Sequence, residues 1–388
     1  MEINLTSSLK GGTRMLKICF KRSIFKRVIS LICLCIMTFM VTGCGSQTAT
    51  TSGNSGLNTR VITDMAGRKV EIPTKINTVY CAVPTCEAMI YSLAPEKMAA
   101  WVNAPTDDLK KYLSDRAKAL PVLGGWMGEK CTANLEEIAK LAPDLIIFMT
   151  DLDPVNKVSA GQTADSIMGQ TKRPVIVIDS IFSSTPEVYR NMGDILGVPD
   201  RAEKLATYSE KKMATISDMV VKIPEDKLVS VYYAEGTAGL ATDPADSHHA
   251  EVLKFVRGKN VADVPAKGGQ GMSAVSMEQV LSWNPDIVLI SSSTGGFKNY
   301  QSILSDVSWG KIDAVKNKKV YITPSLPFGW FDRPPNIMRV IGIEWLGNVL
   351  YPEYVKVDLN KETKEYFSLF FNMDLTDIQV NELLKNAV

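Results

Sequence analysis

At 388 residues the chain exceeds one typical domain and leaves room for two cores. Its composition, 45% hydrophobic and 22% charged, excludes a largely disordered chain. Seven of the 43 basic residues and one of the 42 acidic residues precede Cys44, so the remainder holds 36 positive and 41 negative side chains, a formal net of −5. That balance argues against nucleic acid as a partner, because phosphate binding needs a basic patch.

The first predicted element is a leader. Lys17, Lys21, Arg22, Lys26 and Arg27 precede an uncharged, mostly apolar run of 14 residues, Val28 to Val41, and Val41-Thr42-Gly43-Cys44 closes it. A membrane-spanning helix needs roughly 20 apolar residues, so the run suits the apolar region of a signal peptide. Residues 1–44 resemble a bacterial lipoprotein signal, which implies that the Cys44 thiol takes a diacylglycerol and becomes the mature N-terminus. The expected location is extracytoplasmic, on the cell membrane through that lipid. The alternative is an uncleaved anchor with an incidental cysteine.

Four of the seven cysteines remain from Cys44 onward: Cys44, Cys81, Cys86 and Cys131. With Cys44 lipidated, at most one disulfide can form. Cys81 lies in the apolar run Thr78 to Val83, so core packing is the preferred reading of it. No CxxC pair occurs, and a structural zinc site is not expected.

Residues 45–58 are rich in Ser, Thr, Gly and Asn and read as a flexible tether. Arg60 to Asp64, the turn Ala66-Gly67-Arg68 and Val70 to Pro73 form a hairpin-like opening. Val79 to Val83 is a strand, and Thr85 to Leu93 a helix with Thr85 as its N-cap. Leu135 to Leu141 is helical, Ala142-Pro143-Asp144 ends it, and Leu145 to Phe148 is a buried strand, with another at Val175 to Ile178. Helical periodicity runs from Pro186 to Leu196, pauses at Gly197-Val198-Pro199, and continues to Val221 before Pro224. A second series starts at Leu228 to Tyr233. The unit Ser276 to Ile290 repeats the unit Asn134 to Phe148: a capped helix with Glu two residues after the cap, then Pro-Asp, then an apolar strand. This pattern predicts an α/β fold of two similar lobes with mainly parallel sheets, joined by one long rigid helix.

In this order the motifs resemble the helix-linked substrate-binding lipoproteins of ABC importers for iron–siderophore complexes, haem and cobalamin. The resemblance rests on Thr63 to Arg68 with Val70 to Pro73, both helix–Pro-Asp–strand units, Gly258 to Asp263, Trp309 to Tyr321, and Trp330-Phe331-Asp332-Arg333-Pro334-Pro335. It implies an N-terminal lobe over 59–184, an inter-lobe helix over 185–223, a C-terminal lobe over 224–388, and a ligand cleft between the lobes. It also implies docking on an ABC permease with its ATPase, through one acidic side chain per lobe, here Glu87 and Glu251. A monomer suffices for that docking.

Large planar ligands want aromatic walls and a few fixed polar groups. Trp126 and Met127 in a Gly-rich loop, Tyr233 after a strand, and Trp330 and Phe331 in a late loop are the candidates; each has core packing as its alternative. Arg333 can pair with a ligand carboxylate, catecholate or phosphate, or else form an ion pair inside the lobe with Asp332 or Glu344. The two histidines, His248 and His249, are adjacent, and His248 is the candidate metal contact, to a haem or corrinoid metal or directly to nickel or cobalt. No Gly-x-Ser-x-Gly elbow and no HExxH occurs, and no enzyme activity is expected. The expected function is capture of a metal chelate (iron–siderophore, haem or corrinoid, alternatively a nickel or cobalt chelate) for an ABC permease, without an intrinsic cofactor. A ligand-sensing lipoprotein and an extracytoplasmic enzyme are the rival classes.

Overall fold

The computed structural model describes residues 58–127, 130–265 and 271–388. The leader, Cys44 and residues 45–57 lie outside them, as do residues 266–270 of the Gly-rich loop ending at Gly271. Among the described residues no helix is long and apolar enough to cross a membrane.

The opening hairpin forms as its alternation predicts. Strand β1 (Thr59–Thr63) pairs antiparallel with β2 (Lys69–Pro73). Gly67, at φ +86°, supplies the left-handed residue of the turn, and Asp64 accepts the Arg68 N–H at 2.8 Å. The other Asp64 oxygen accepts from Val177 N at 3.0 Å, which ties the hairpin to the first lobe.

That lobe is built on β3 (Val79–Cys81), a short hairpin of β4 (Trp126–Met127) with β5 (Lys130–Cys131), and the longer β6 (Leu145–Thr150) and β7 (Val175–Asp179). Its sheet is parallel, in the order β3-β6-β7. The second lobe holds β8 (Ser230–Ala234), β9 (Ala241–Thr242), β10 (Lys259–Asn260), β11 (Ser273–Ala274), β12 (Ile287–Ile290) and β13 (Val320–Ile322). Its main sheet is also parallel, ordered β10-β8-β12-β13, with β9 and β11 as an antiparallel pair beside it.

The repeated unit has a physical meaning in both lobes. Asn134 caps the helix Leu135–Leu141, and Ser276 forms a capping box on Met277–Trp283. Each helix ends on a left-handed residue, Ala142 or Asn284, that turns the chain toward Pro-Asp. Asp144 then accepts from Asn77 N at 2.7 Å and Thr78 N at 3.0 Å, just before β3. Asp286 accepts from Ser230 N at 2.9 Å at the start of β8. The Pro-Asp carboxylate therefore pins the beginning of the neighbouring parallel strand, once per lobe.

Strand side chains alternate between two cores, as period two requires. Cys81, Ile147, Ile178, Tyr233 and Leu289 face a large core shared by both lobes. Tyr80, Ile146 and Val177 face a second core in the first lobe, and Tyr232, Val288 and Ile290 a third in the second.

The helical run expected over 185–223 is two helices. Thr185–Leu196 ends at Gly197, with φ +71°, and Pro199–Val220 packs back along it. At the contact Gly193 is required: a Cβ there would lie 2.2 Å from that of Ala202. Arg190 clamps the pair by reaching Glu203 at 2.8 Å and Glu210 at 2.6 Å. The second of them, the 22-residue Pro199–Val220, is about 33 Å long. Its Arg201 donates to Ser92 O at 3.0 Å in one lobe and to Phe370 O at 3.2 Å on the other side.

Two local expectations are corrected. Cys81 is buried as expected but also disulfide-bonded to Cys86, leaving Cys131 as the free thiol among the described residues. Thr85 is not the N-cap of the first helix; it sits inside the 3-10 turn Pro84–Cys86, and the helix proper runs Glu87–Leu93.

Candidate functional site

In open parallel sheets, ligands bind beyond the carboxyl ends of the strands. Those ends are Ala82 to Pro84 after β3, Asp151 to Asp153 after β6 and Ser180 to Phe182 after β7 in the first lobe. In the second they are Glu235 after β8, Ser291 to Ser293 after β12 and Thr323 onward after β13. A groove of about 590 Å³ lined by Leu228, Leu253, Arg257 and Lys259 lies at the opposite, amino-terminal edge of the second sheet. It is therefore not at the strand-end rim.

The two rims are directly bonded. Glu251, at the start of the helix Glu251–Phe255, accepts from Phe182 N at 3.1 Å and from Arg339 Nη1 at 2.6 Å. Arg339 in turn donates Nη2 to the Ser180 carbonyl and lies over the Phe182 ring, 5.5 Å from its centroid. Glu251 is thus an inter-lobe clamp, its carboxylate engaged by both Phe182 N and Arg339. Glu87 differs from expectation more strongly. It is 7% exposed and accepts from Val102 N at 2.6 Å, and burial pushes its carboxyl up to about 8 against the pull of that N–H. Glu87 is enclosed by its own lobe and is not presented to a partner's arginines, whereas the Glu251 side chain keeps 22% exposure while paired with Arg339.

All four aromatic candidates are buried, three of them, Tyr233, Trp330 and Phe331, in the core shared by both lobes. Trp330 is fully buried, donates its indole N–H to Leu326 O at 2.9 Å and packs near Phe367. Phe331 and Tyr233 pack on each other at 4.7 Å between ring centroids within the shared core. The loop after β13 folds inward over that core, so these rings do not line a cleft. Trp126 packs in the first lobe's second core, with its backbone N donating to Ala82 O at 2.8 Å beside the end of β3, and Met127 is half-buried. The Trp126 indole N–H is buried and has no hydrogen-bond partner among the described residues.

Arg333 adopts the ion-paired alternative, with the expected Asp332 as one partner and Glu235 and Asp243 in place of Glu344. Its guanidinium bonds Glu235 and Asp243 and lies 3.5 Å from Asp332, while Glu344 pairs instead with Lys212 at 3.2 Å. Burial pushes the Glu235 carboxyl up to about 9, against the opposing pull of Arg333. The guanidinium is therefore engaged inside its lobe.

The histidines occupy the turn between β9 and the helix Glu251–Phe255. His249 is buried, and its Nδ1 lies 2.6 Å from Asp332 Oδ1. His248 is half-buried and stacks on His249 at 3.9 Å between centroids. Burial, and then the neighbouring His249, lower the pKa of His248, while Asp151 of the other lobe raises it from across the rim. A neutral imidazole is thus held where the two lobes meet. The partners of His249 and Glu251, and the Glu235 and Asp243 partners of Arg333, escaped sequence reading because they lie far along the chain; only the Asp and Glu content of the strand-end loops hinted at them.

A family model described as periplasmic binding protein matches residues 96–327, more than half of the chain. The chain belongs to the periplasmic binding protein family. This binding protein is 25% identical to the molybdate-binding protein MolA of Haemophilus influenzae over 335 residues, which cover 82% of this chain and 92% of that one. It is 25% identical to the Fe(3+)-citrate-binding protein YfmC of Bacillus subtilis, covering 76% of this chain and 86% of the relative. A solved ABC transporter solute binding protein from Sulfurospirillum deleyianum shares its fold with a TM-score of 0.75 at 29% identity, over 84% of this chain and 99% of that one. The two-lobed parallel α/β fold is that of ABC-importer binding proteins, whose members carry solutes and are not enzymes.

Proposed function

We propose that this binding protein is tethered outside the cytoplasm through lipid on Cys44 and captures a small metal chelate for an ABC permease. His248 carries the reading: a half-buried imidazole that makes no hydrogen bond among the described residues and is kept neutral at the meeting of the lobes. Neutral imidazole suits a metal with an open coordination position, or donates to an oxygen-rich shell. The Trp126 indole N–H is a second uncommitted donor, on the other lobe. Molybdate and ferric citrate, named for two relatives, are both compact and oxygen-rich. Haem and corrinoid fit less well, because Tyr233, Trp330 and Phe331 are spent on the core.

The test is a titration of the full chain in mild detergent, read by tryptophan fluorescence and thermal shift. The panel holds ferric citrate, a ferric siderophore, molybdate, nickel and cobalt with and without free histidine, haem and cobalamin. A solute at 100 times its Kd stabilises the fold by about 2.7 kcal/mol. A small chelate that saturates and is lost in His248→Ala supports the proposal. A response confined to haem or cobalamin, or none at all, overturns the ligand class. Unchanged membrane retention of Cys44→Ala overturns the lipid anchor.

A further inference from the structure

The second lobe brings three metal-ligating side chains together from three separate segments. Asp243 follows β9, His249 lies in the turn 248–250, and Asp332 belongs to the loop after β13. One donor atom from each lies within 4.8 Å of the other two. All three are enclosed, at 1%, 7% and 5% exposure.

Their bonding is incomplete. His249 Nε2 and Asp332 Oδ2 are buried and hydrogen-bond to nothing among the described residues. The Asp332 oxygen is 3.5 Å from Arg333 Nε, but that guanidinium is already shared between Glu235 and Asp243. Glu235, Asp243 and Asp332 are three buried carboxyl groups gathered around the Arg333 guanidinium. A divalent cation held by this cluster supplies a partner that the described residues do not.

The surroundings support a built site. Met272 N donates to Asp243 Oδ1 at 3.2 Å, and Ser247 Oγ reaches the same oxygen at 3.3 Å. Gly271, at φ +68°, makes room for it: a Cβ there would lie 2.3 Å from Asp243 Oδ1. Such outer partners orient metal ligands.

We propose that Asp243, His249 and Asp332 bind a first-row transition cation, with one imidazole and two carboxylates suiting zinc, nickel or cobalt. All three donors belong to one lobe and are closed from solvent, so the ion stays through opening of the cleft. It fastens the loop after β13 to the histidine turn and is distinct from the transported solute; the site stands whatever solute the cleft takes.

The test strips the full chain with a chelator in detergent and titrates it with cobalt(II) in the absence of any organic chelate, reading visible d–d absorption and bound metal per chain. One ion per chain is expected. Asp332→Asn and His249→Ala weaken it at least by the roughly 100-fold that loss of a mere supporting partner can cost. Circular dichroism checks that each variant is folded, and Asp243→Asn replaces any that is not. Cys131→Ser retains the ion, which excludes the free thiol as its source. No saturable binding by the wild type, or wild-type binding by folded His249→Ala or Asp332→Asn, overturns the proposal.

Discussion

The Glu251 carboxylate sits 2.6 Å from the Arg339 guanidinium, and each partner also bonds the backbone of the opposite lobe. Their environments are unequal: the Arg339 side chain is 3% exposed and that of Glu251 22%. Removing Glu251 therefore strands a charge with no route to water, whereas removing Arg339 leaves a carboxylate that reaches solvent. Glu251→Ala should cost about 3 kcal/mol, and Arg339→Ala less. Urea denaturation of the two variants checks the order; equal losses would show that the clamp is not governed by desolvation.

Glu87 gives a pH dependence with a definite sign. Its folded value of about 8 lies above its ordinary 4.5, because burial disfavours the charged form. The native state then holds a proton that the unfolded chain has lost. Stability should be intact below about 4.5, fall by at most about 1.4 kcal/mol per pH unit as pH rises toward 8, and stop falling above it. Glu87→Gln keeps the acceptor for Val102 N and should abolish this slope. Comparing the two proteins by chemical denaturation across that window decides it. The same variant should transport solute normally, since the carboxyl is enclosed.

Local chemistry made much of this fold legible. The caps Asn134 and Ser276, the Pro-Asp turns and the alternation of β3, β6, β8 and β12 act within a few residues, so sequence alone carries them. Less legible was anything decided by distant partners. Nothing near Trp330 in sequence says that its loop folds inward, because the indole bond to Leu326 and the ring of Phe367 arise only on packing. Arg333 likewise looked available for a ligand, since Glu235 and Asp243 stand nearly a hundred residues away. The helix pause at Gly197 was visible, but whether it bends or reverses the chain depends on the contact of Gly193 with Ala202.

The Cys81–Cys86 disulfide closes a short loop between β3 and the first helix of its lobe. Loop-closure entropy for so few residues gives about 2 kcal/mol of stabilisation. Reduction should therefore lower the denaturation midpoint without unfolding the protein. Alkylation of the denatured protein, with and without reductant, should count two additional thiols after reduction. Equal counts would mean that the cysteines are packed but unpaired.

Trp330 and Trp126 should separate stability from binding. Trp330 is fully buried, and the helix Arg339–Leu350 approaches it so closely that a Cβ on Gly342 would lie 1.8 Å from the Trp330 carbonyl oxygen. Trp330→Ala empties a filled site and should cost about 3–5 kcal/mol. Solute affinity of the fraction that remains folded should change little. Trp126→Phe removes an indole N–H that is already unpartnered, so it forfeits no hydrogen bond within the protein and should be the milder change in stability. If that N–H meets the solute, affinity falls about tenfold, the worth of one hydrogen bond at the upper end of its usual range. Isothermal titration and denaturation on both variants test the pair. The reverse pattern, with Trp330 governing affinity and Trp126 only stability, would return the loop after β13 to the ligand cleft.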